Sequence, residues 1–187
     1  MRRCEGDMKT VLVMNGETDW QAYFPGITVE RRRIQTSRWL FDAGALWVFD
    51  GDGAGALRVE GVLWRLGAIR PQASHRQALD LIRLAGIPCV NPAATLLRGY
   101  DRLAMLHEVR AAGIPTLPFS VALGERMLDA LTPTLPAVLK VGNYHGGFGK
   151  ARLLDEASWA DARDLAFAAD DYATVEPYVD YTRDIRC

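Results

Sequence analysis

An α/β unit followed by a smaller α+β unit is the fold class that three features of the sequence predict. Apolar runs of strand length alternate with helix-length amphipathic segments over the first part of the chain. Beyond residue 116, two strand-like runs flank a glycine-rich loop, and a helix and another strand follow. Two successive helical segments end in the same Ala-Gly-Ile-Pro, where glycine supplies a left-handed cap and proline blocks continuation.

The elements follow in order. TVLVMNG (10–16) is an apolar run stopped by Asn-Gly, the pattern of a buried parallel strand, and ALWVFDG (45–51) repeats it. VEGVLWRLGAI (59–69) is a third apolar run. The segment 71–88 carries Ala78, Leu81, Ile82 and Ala85 at helical spacing, CVNP (89–92) reads as a brief strand and turn, and 99–115 is a second helix with Leu103, Leu106 and Val109. AVLKVG (137–142) and ARLL (151–154) are the strands around the glycine loop, 156–169 is an acid-capped helix, and 172–180 is a strand. The unit boundary is expected between residues 92 and 116, giving domains 8–95 and 96–187. Met8 begins MKTVLVMNG, the pattern of a chain start, which leaves 1–7 as an upstream extension or the product of an alternative initiation.

Composition narrows the function. The 187 residues are 49% hydrophobic and 24% charged, with a net charge of −1, so the chain as a whole lacks the basic footprint of nucleic-acid binding. Cys4, Cys89 and Cys187 are scattered and odd in number, which fits a reducing cytoplasm better than a disulfide framework or a zinc ribbon. No apolar run approaches the roughly 20 residues of a membrane span. The tryptophans and other aromatics read as core packing rather than a ligand cage.

The loop VGNYHGGFGK (141–150) is where a ligand is expected, because clustered glycine is kept for positive φ or for close backbone approach. A P-loop fails on spacing, since Tyr144 stands where its first glycine belongs and Ala151 follows Lys150. GDGAGA (51–56) is followed by a strand-like segment, so a hairpin turn suits it better than a dinucleotide fingerprint, and Ala54 spoils a calcium loop. A glycine-rich hairpin tip can instead lay its backbone N–H groups against phosphate oxygens, with a strand lysine adding a point charge.

LPAVLKVGNYHGGFGKARLL, YATVEPYVD and RDIRC, in that order, resemble the ATP-grasp enzymes, in particular the RimK-like ligases and the synapsin nucleotide-binding domain. The resemblance extends back to about residue 57 and implies a pre-ATP-grasp domain followed by the small lid subdomain of the grasp, with the C-terminal subdomain missing or truncated. It implies ATP as the nucleotide. Lys140 falls on the strand lysine that contacts phosphate and adenine, and Gly146, Gly147, Gly149 and Lys150 on the lid over the β- and γ-phosphates, with His145 beside them. Glu176, Pro177, Tyr178 and Val179 match the hinge that reads the adenine edge. A Glu-Pro step on a buried strand is costly unless the carboxylate has a partner. Asp184 falls on the ribose ligand and Arg186 on a phosphate-directed arginine with a catalytic role.

Arg102 replaces the lysine that in the family reaches the nucleotide phosphates, and arginine is not equivalent to lysine. The family's Mg2+ ligands would lie beyond Cys187, so no metal ligand is assigned here, and these 187 residues alone are expected to be inactive. The resemblance implies an ATP-dependent carboxylate–amine ligase acting through an acyl phosphate. Alternatives are a synapsin-type regulatory module and a small-molecule kinase. Expected partners are ATP, a carboxylate acceptor that Arg65 and Arg70 could face, and an amine; no nucleic acid and no membrane are expected, and a homodimer is the general default.

Overall fold

The computed structural model describes residues 9–16, 20–51, 55–124 and 126–183. The chain divides into two compact units, Met1–Asp101 and Arg102–Cys187.

The first unit contains β1 (Thr10–Met14), β2 (Thr28–Arg32), β3 (Arg38–Asp42), β4 (Ala45–Phe49), β5 (Leu57–Val59), β6 (Gly61–Trp64), α1 (Ala73–Leu84), β7 (Cys89–Val90) and α2 (Ala93–Gly99). Four strands form a parallel sheet in the order β2-β1-β6-β7. β1 has a strand on each side, and Leu12, Val13 and Met14 are fully buried, as a continuous apolar run in a parallel sheet requires. From α1, His75, Ala78, Leu79 and Ile82 are buried, one stripe at i, i+3, i+4 and i+7.

Two strand expectations need correction. The run 45–51 is not a second parallel strand; β4 is the centre of a separate antiparallel sheet, β3-β4-β5. Its partner β3 is joined to it through Ala43 and Gly44, both at positive φ (47° and 79°), the two-residue turn whose twist suits a hairpin. The run 59–69 is not one strand either. It divides at Glu60, with β5 pairing to β4 and β6 pairing to β1. Glu60 holds the crossing by donating its N–H to the Thr10 carbonyl at 3.0 Å and accepting the Thr10 N–H on its carboxylate at 3.2 Å. The segment 50–56 lies between the antiparallel strands β4 and β5, and its residues 52–54 lie outside the described residues.

The second unit contains α3 (Arg102–Ala111), β8 (Ser120–Leu123), a 3-10 turn (Met127–Ala130), β9 (Ala137–Val141), β10 (Lys150–Leu153), α4 (Glu156–Ala169) and β11 (Tyr172–Pro177). Its antiparallel sheet runs β10-β9-β11-β8. Alternation along β9 puts Ala137, Leu139 and Val141 into a core with Leu128, Leu153, Val175 and, from α4, Trp159 and Ala166. The helix expected over 99–115 starts later, at Arg102, because α2 occupies 93–99. The repeated Ala-Gly-Ile-Pro does the same work twice. Gly86 and Gly113 adopt φ of 64° and 72°, and the following Ile87 and Ile114 donate their N–H groups to Ile82 and Val109, closing each helix with a Schellman bond. No helix among the described residues is long and apolar enough to cross a membrane.

α4 opens with a reciprocal cap: the Asp155 carboxylate accepts the Ser158 N–H at 2.8 Å, and Ser158 Oγ accepts the Asp155 N–H at 3.1 Å. Hydrogen bonds from Ser158 hold the Asp155 carboxyl below its ordinary value of 3.8. A depressed folded pKa means that this contribution is complete at neutral pH and disappears as pH falls through the folded value. On acid titration followed by circular dichroism, Asp155→Asn should lack the part of the stability loss that the native chain shows in that range; an identical profile would rule out the cap as a titrating element.

Candidate functional site

Residues opposite one another on neighbouring strands share a face of the sheet. Lys140 on β9 lies opposite Lys150 on β10 and Thr174 on β11, and Val138, two residues earlier, lies opposite Arg152 and Glu176. Lys140, Lys150, Arg152, Thr174 and Glu176 therefore stand on one face, while Leu139, Ala151 and Val175 stand on the core face under α4. The first face sets three cations against one carboxylate.

That carboxylate is committed. Lys140 Nζ forms an ion pair with Glu176 Oε1, and both side chains are about one-fifth exposed, at 19% and 20%. This supplies the partner that a Glu-Pro step at the end of a buried strand requires, and Pro177, without an N–H, falls at the last residue of β11. Lys150 is exposed and makes no ion pair among the described residues. Ammonium groups on directly opposed residues repel. An anion above this face would relieve that repulsion and leave the Glu176 pair in place.

The loop between β9 and β10 is built around positive φ at Gly142 (47°), Gly146 (66°), Gly147 (91°) and Gly149 (62°). At Gly142 a Cβ would stand 2.3 Å from Asp170 Cγ, and at Gly149 it would stand 2.7 Å from Tyr144 Cβ, so glycine is required there by space as well as by φ. Nothing lies within 4 Å of that position at Gly147. His145 is half-buried at the start of the tip.

Arg102 is not placed as expected. Its guanidinium is buried against backbone carbonyls, Nε donating to Gly142 at 2.9 Å and an Nη donating to Tyr144. Two further residues of this arrangement, Asn143 and Tyr172, escaped the sequence reading. Asn143 Oδ1 accepts the Arg102 N–H at 2.8 Å and the Tyr172 hydroxyl at 2.6 Å. The only signal in the sequence was an asparagine directly after Gly142.

At the hinge, the Tyr178 N–H donates to the Pro136 carbonyl at 3.0 Å, the Arg152 guanidinium lies 3.9 Å from the Tyr178 ring centroid, and Val179 is exposed. A cavity of about 290 Å³ nearby is lined by Phe119, Ser120, Ala137, Val175, Glu176 and Pro177 among others. Most of its strand residues point to the core side of the sheet, so it is not the space above Lys140 and Lys150. Asp184 and Arg186 lie outside the described residues. In the first unit, Arg65 is exposed with its guanidinium 5.3 Å from the centroid of Trp20; Arg70 is exposed. Among the described residues no group of three His, Cys, Asp or Glu side chains is gathered to hold a metal ion.

The Lys140–Glu176 pair yields a stability prediction. Glu176→Gln should cost about 1–3 kcal/mol by leaving a partly buried ammonium without its countercharge. Lys140→Met with Glu176→Gln should recover part of that loss, giving a measurable coupling in a urea-denaturation double-mutant cycle. Additive single effects would show that the pair contributes nothing to the fold.

Three kinds of likeness bear on this geometry. The family model of the synapsin ATP binding domain matches residues 119–187. Synapsin of Drosophila melanogaster is 26% identical over 198 residues, which cover 91% of this chain and 19% of that protein. Among solved structures, D-alanyl-alanine synthetase A from Vibrio cholerae superposes with a TM-score of 0.65 at 14% identity, covering 92% of this chain and 60% of that one. A RimK domain ATP-grasp protein from Sphaerobacter thermophilus gives 0.64 at 19% identity, covering 91% and 64%. VanG D-Ala:D-Ser ligase from Enterococcus faecalis gives 0.65 at 16%, covering 92% and 63%. The chain thus spans about a fifth of the fly synapsin and less than two-thirds of each of these three structures. With a parallel α/β unit followed by an antiparallel sheet that carries a glycine hairpin, the chain has the fold of the corresponding part of these three structures, one of them a RimK domain ATP-grasp protein.

Proposed function

We propose that the protein to which these residues belong is an ATP-dependent carboxylate–amine ligase. The observation that carries the nucleotide part is the lysine face: Lys140 and Lys150 opposed beside an open glycine hairpin, with Glu176 at the hinge. The chemistry ATP supplies is phosphorylation of a carboxylate with loss of ADP, after which an amine displaces phosphate from the acyl carbon and gives up a proton, leaving an amide.

The residues of this chain serve that reaction by binding and orienting. Lys140, fixed by Glu176, presents a cation of defined position to a phosphate oxygen, and Lys150 adds a second from the neighbouring strand. The tip glycines Gly146 and Gly147, with Gly149 closing the loop, allow backbone N–H groups to approach phosphate oxygens without a Cβ in the way. Backbone groups of the 176–179 segment serve the adenine edge, with the Glu176 carboxylate alongside. Asp184 toward the ribose and Arg186 toward the phosphates complete the assignment. Arg65 is the cation proposed for the acceptor carboxylate, since it stands exposed just beyond the end of β6, and ligands of parallel sheets bind at the carboxyl ends of their strands.

The match of residues 119–187 to the synapsin ATP binding domain favours a second reading, an ATP-binding regulatory module without ligase chemistry. Phosphate release by the full-length protein separates the readings. A ligase requires a carboxylate and an amine together, a small-molecule kinase transfers phosphate to an alcohol and needs no amine, and a binding module releases none. Nucleotide binding itself is checked by calorimetric titration. Lys140→Ala should raise the Kd for ATP by about tenfold or more, the scale of one lost charge-assisted hydrogen bond. Unchanged affinity would move the site elsewhere.

A further inference from the structure

We infer that Arg102 is a positioning residue: it pins the first limb of the glycine loop, Gly142 to Tyr144, and so confines the loop's movement to residues 146–148. The nucleotide reading above enters only in saying what that segment closes over.

The first limb is held at every residue. The Gly142 N–H donates to the Tyr172 carbonyl at 2.8 Å, and the Gly142 carbonyl accepts from Arg102 Nε. Asn143 Oδ1 accepts from both Arg102 and Tyr172, and the Tyr144 carbonyl accepts from the other arm of the same guanidinium. The second limb is tied as well, since the Gly149 carbonyl accepts the Val141 N–H at 2.8 Å and Tyr144 fills the space beside Gly149. Between these limbs the surroundings change. The space beside Gly147 is open, Gly146 has only the Phe148 ring at 3.9 Å, and Phe148 is 56% exposed, its N–H making one long bond of 3.3 Å to the His145 carbonyl.

Arginine suits this task and lysine does not. A planar guanidinium reaches two carbonyls two residues apart with divergent N–H groups, whereas an ammonium is a single point of charge on a flexible stem. Arg102 is 8% exposed and acts from the first residue of α3, so its side chain starts from helical backbone rather than from a loop.

The test combines amide hydrogen exchange over residues 141–150 with calorimetric titrations of ATP and of adenosine, on the full chain. Without nucleotide, Arg102→Ala and Arg102→Lys should each speed exchange of the 142–145 amides by about tenfold, the scale of one lost bond to a charged group, while 146–148 change little. ATP affinity should fall about tenfold in both variants and adenosine affinity should hold. Tyr172→Phe removes only the hydroxyl bond to Asn143 and should give a smaller acceleration, about threefold, which keeps the test available if the arginine variants do not fold. Full rescue by lysine, or unchanged exchange with weakened ATP binding, would overturn the inference, the latter by showing that Arg102 touches the phosphates itself. If the native chain bound no ATP, the nucleotide reading would fall and the exchange comparison would still decide the anchor.

Discussion

A half-buried lysine opposite a second lysine needs a countercharge, and the ion pair from Lys140 to Glu176 is the interaction on which the rest of the second unit depends. It ties β9 to β11 in one register. A slip by one residue would turn Lys140 under α4 and bring Leu139 out to water. The same register sets Thr174 beside Lys140, brings the hinge to the end of β11, and leaves Lys150 and Arg152 as charge not balanced on that face. The sheet is thereby stable as it stands, with positive charge in surplus where a phosphate chain would lie.

The loop follows from a second constraint, that a hairpin flexible at its tip must be rigid at its stem. Glycine alone would give a floppy connection, since each glycine adds backbone entropy to be lost on closing. Here the stem is fixed by one buried guanidinium, one asparagine oxygen and one tyrosine hydroxyl, while the space beside Gly147 at the tip is open. Division of labour of this kind concentrates the entropy of closure in about three residues, so binding need order little chain.

Much of this was legible in the sequence, for reasons that can be named. Ala-Gly-Ile-Pro marked two helix ends because left-handed glycine followed by proline has few other uses, and both ends close with the same bond. The glycine hairpin and its flanking strands were legible because alternation in AVLKV is strict, and Glu-Pro announced a carboxylate in need of a partner. The illegible parts depend on contacts from afar. β4 has the apolar character of a buried parallel strand, and only the Ala43-Gly44 turn, without the usual asparagine, makes it antiparallel. β8 buries one residue of four and shows no period, and α2 is only seven residues long. The contacts of Arg102 were not legible, because the carbonyls that accept from its guanidinium come from 40 and 42 residues further along the chain.

The central claim is that the lysine face is the seat of the nucleotide, and a charge swap tests it most directly. Lys140→Glu with Glu176→Lys keeps the ion pair and the register but reverses the charge presented beside the loop. We predict a thermal midpoint within a few degrees of the native chain and an ATP affinity lowered by about a hundredfold, the equivalent of roughly 2.7 kcal/mol. A folded double variant that binds ATP as the native chain does would contradict the assignment and place the nucleotide elsewhere.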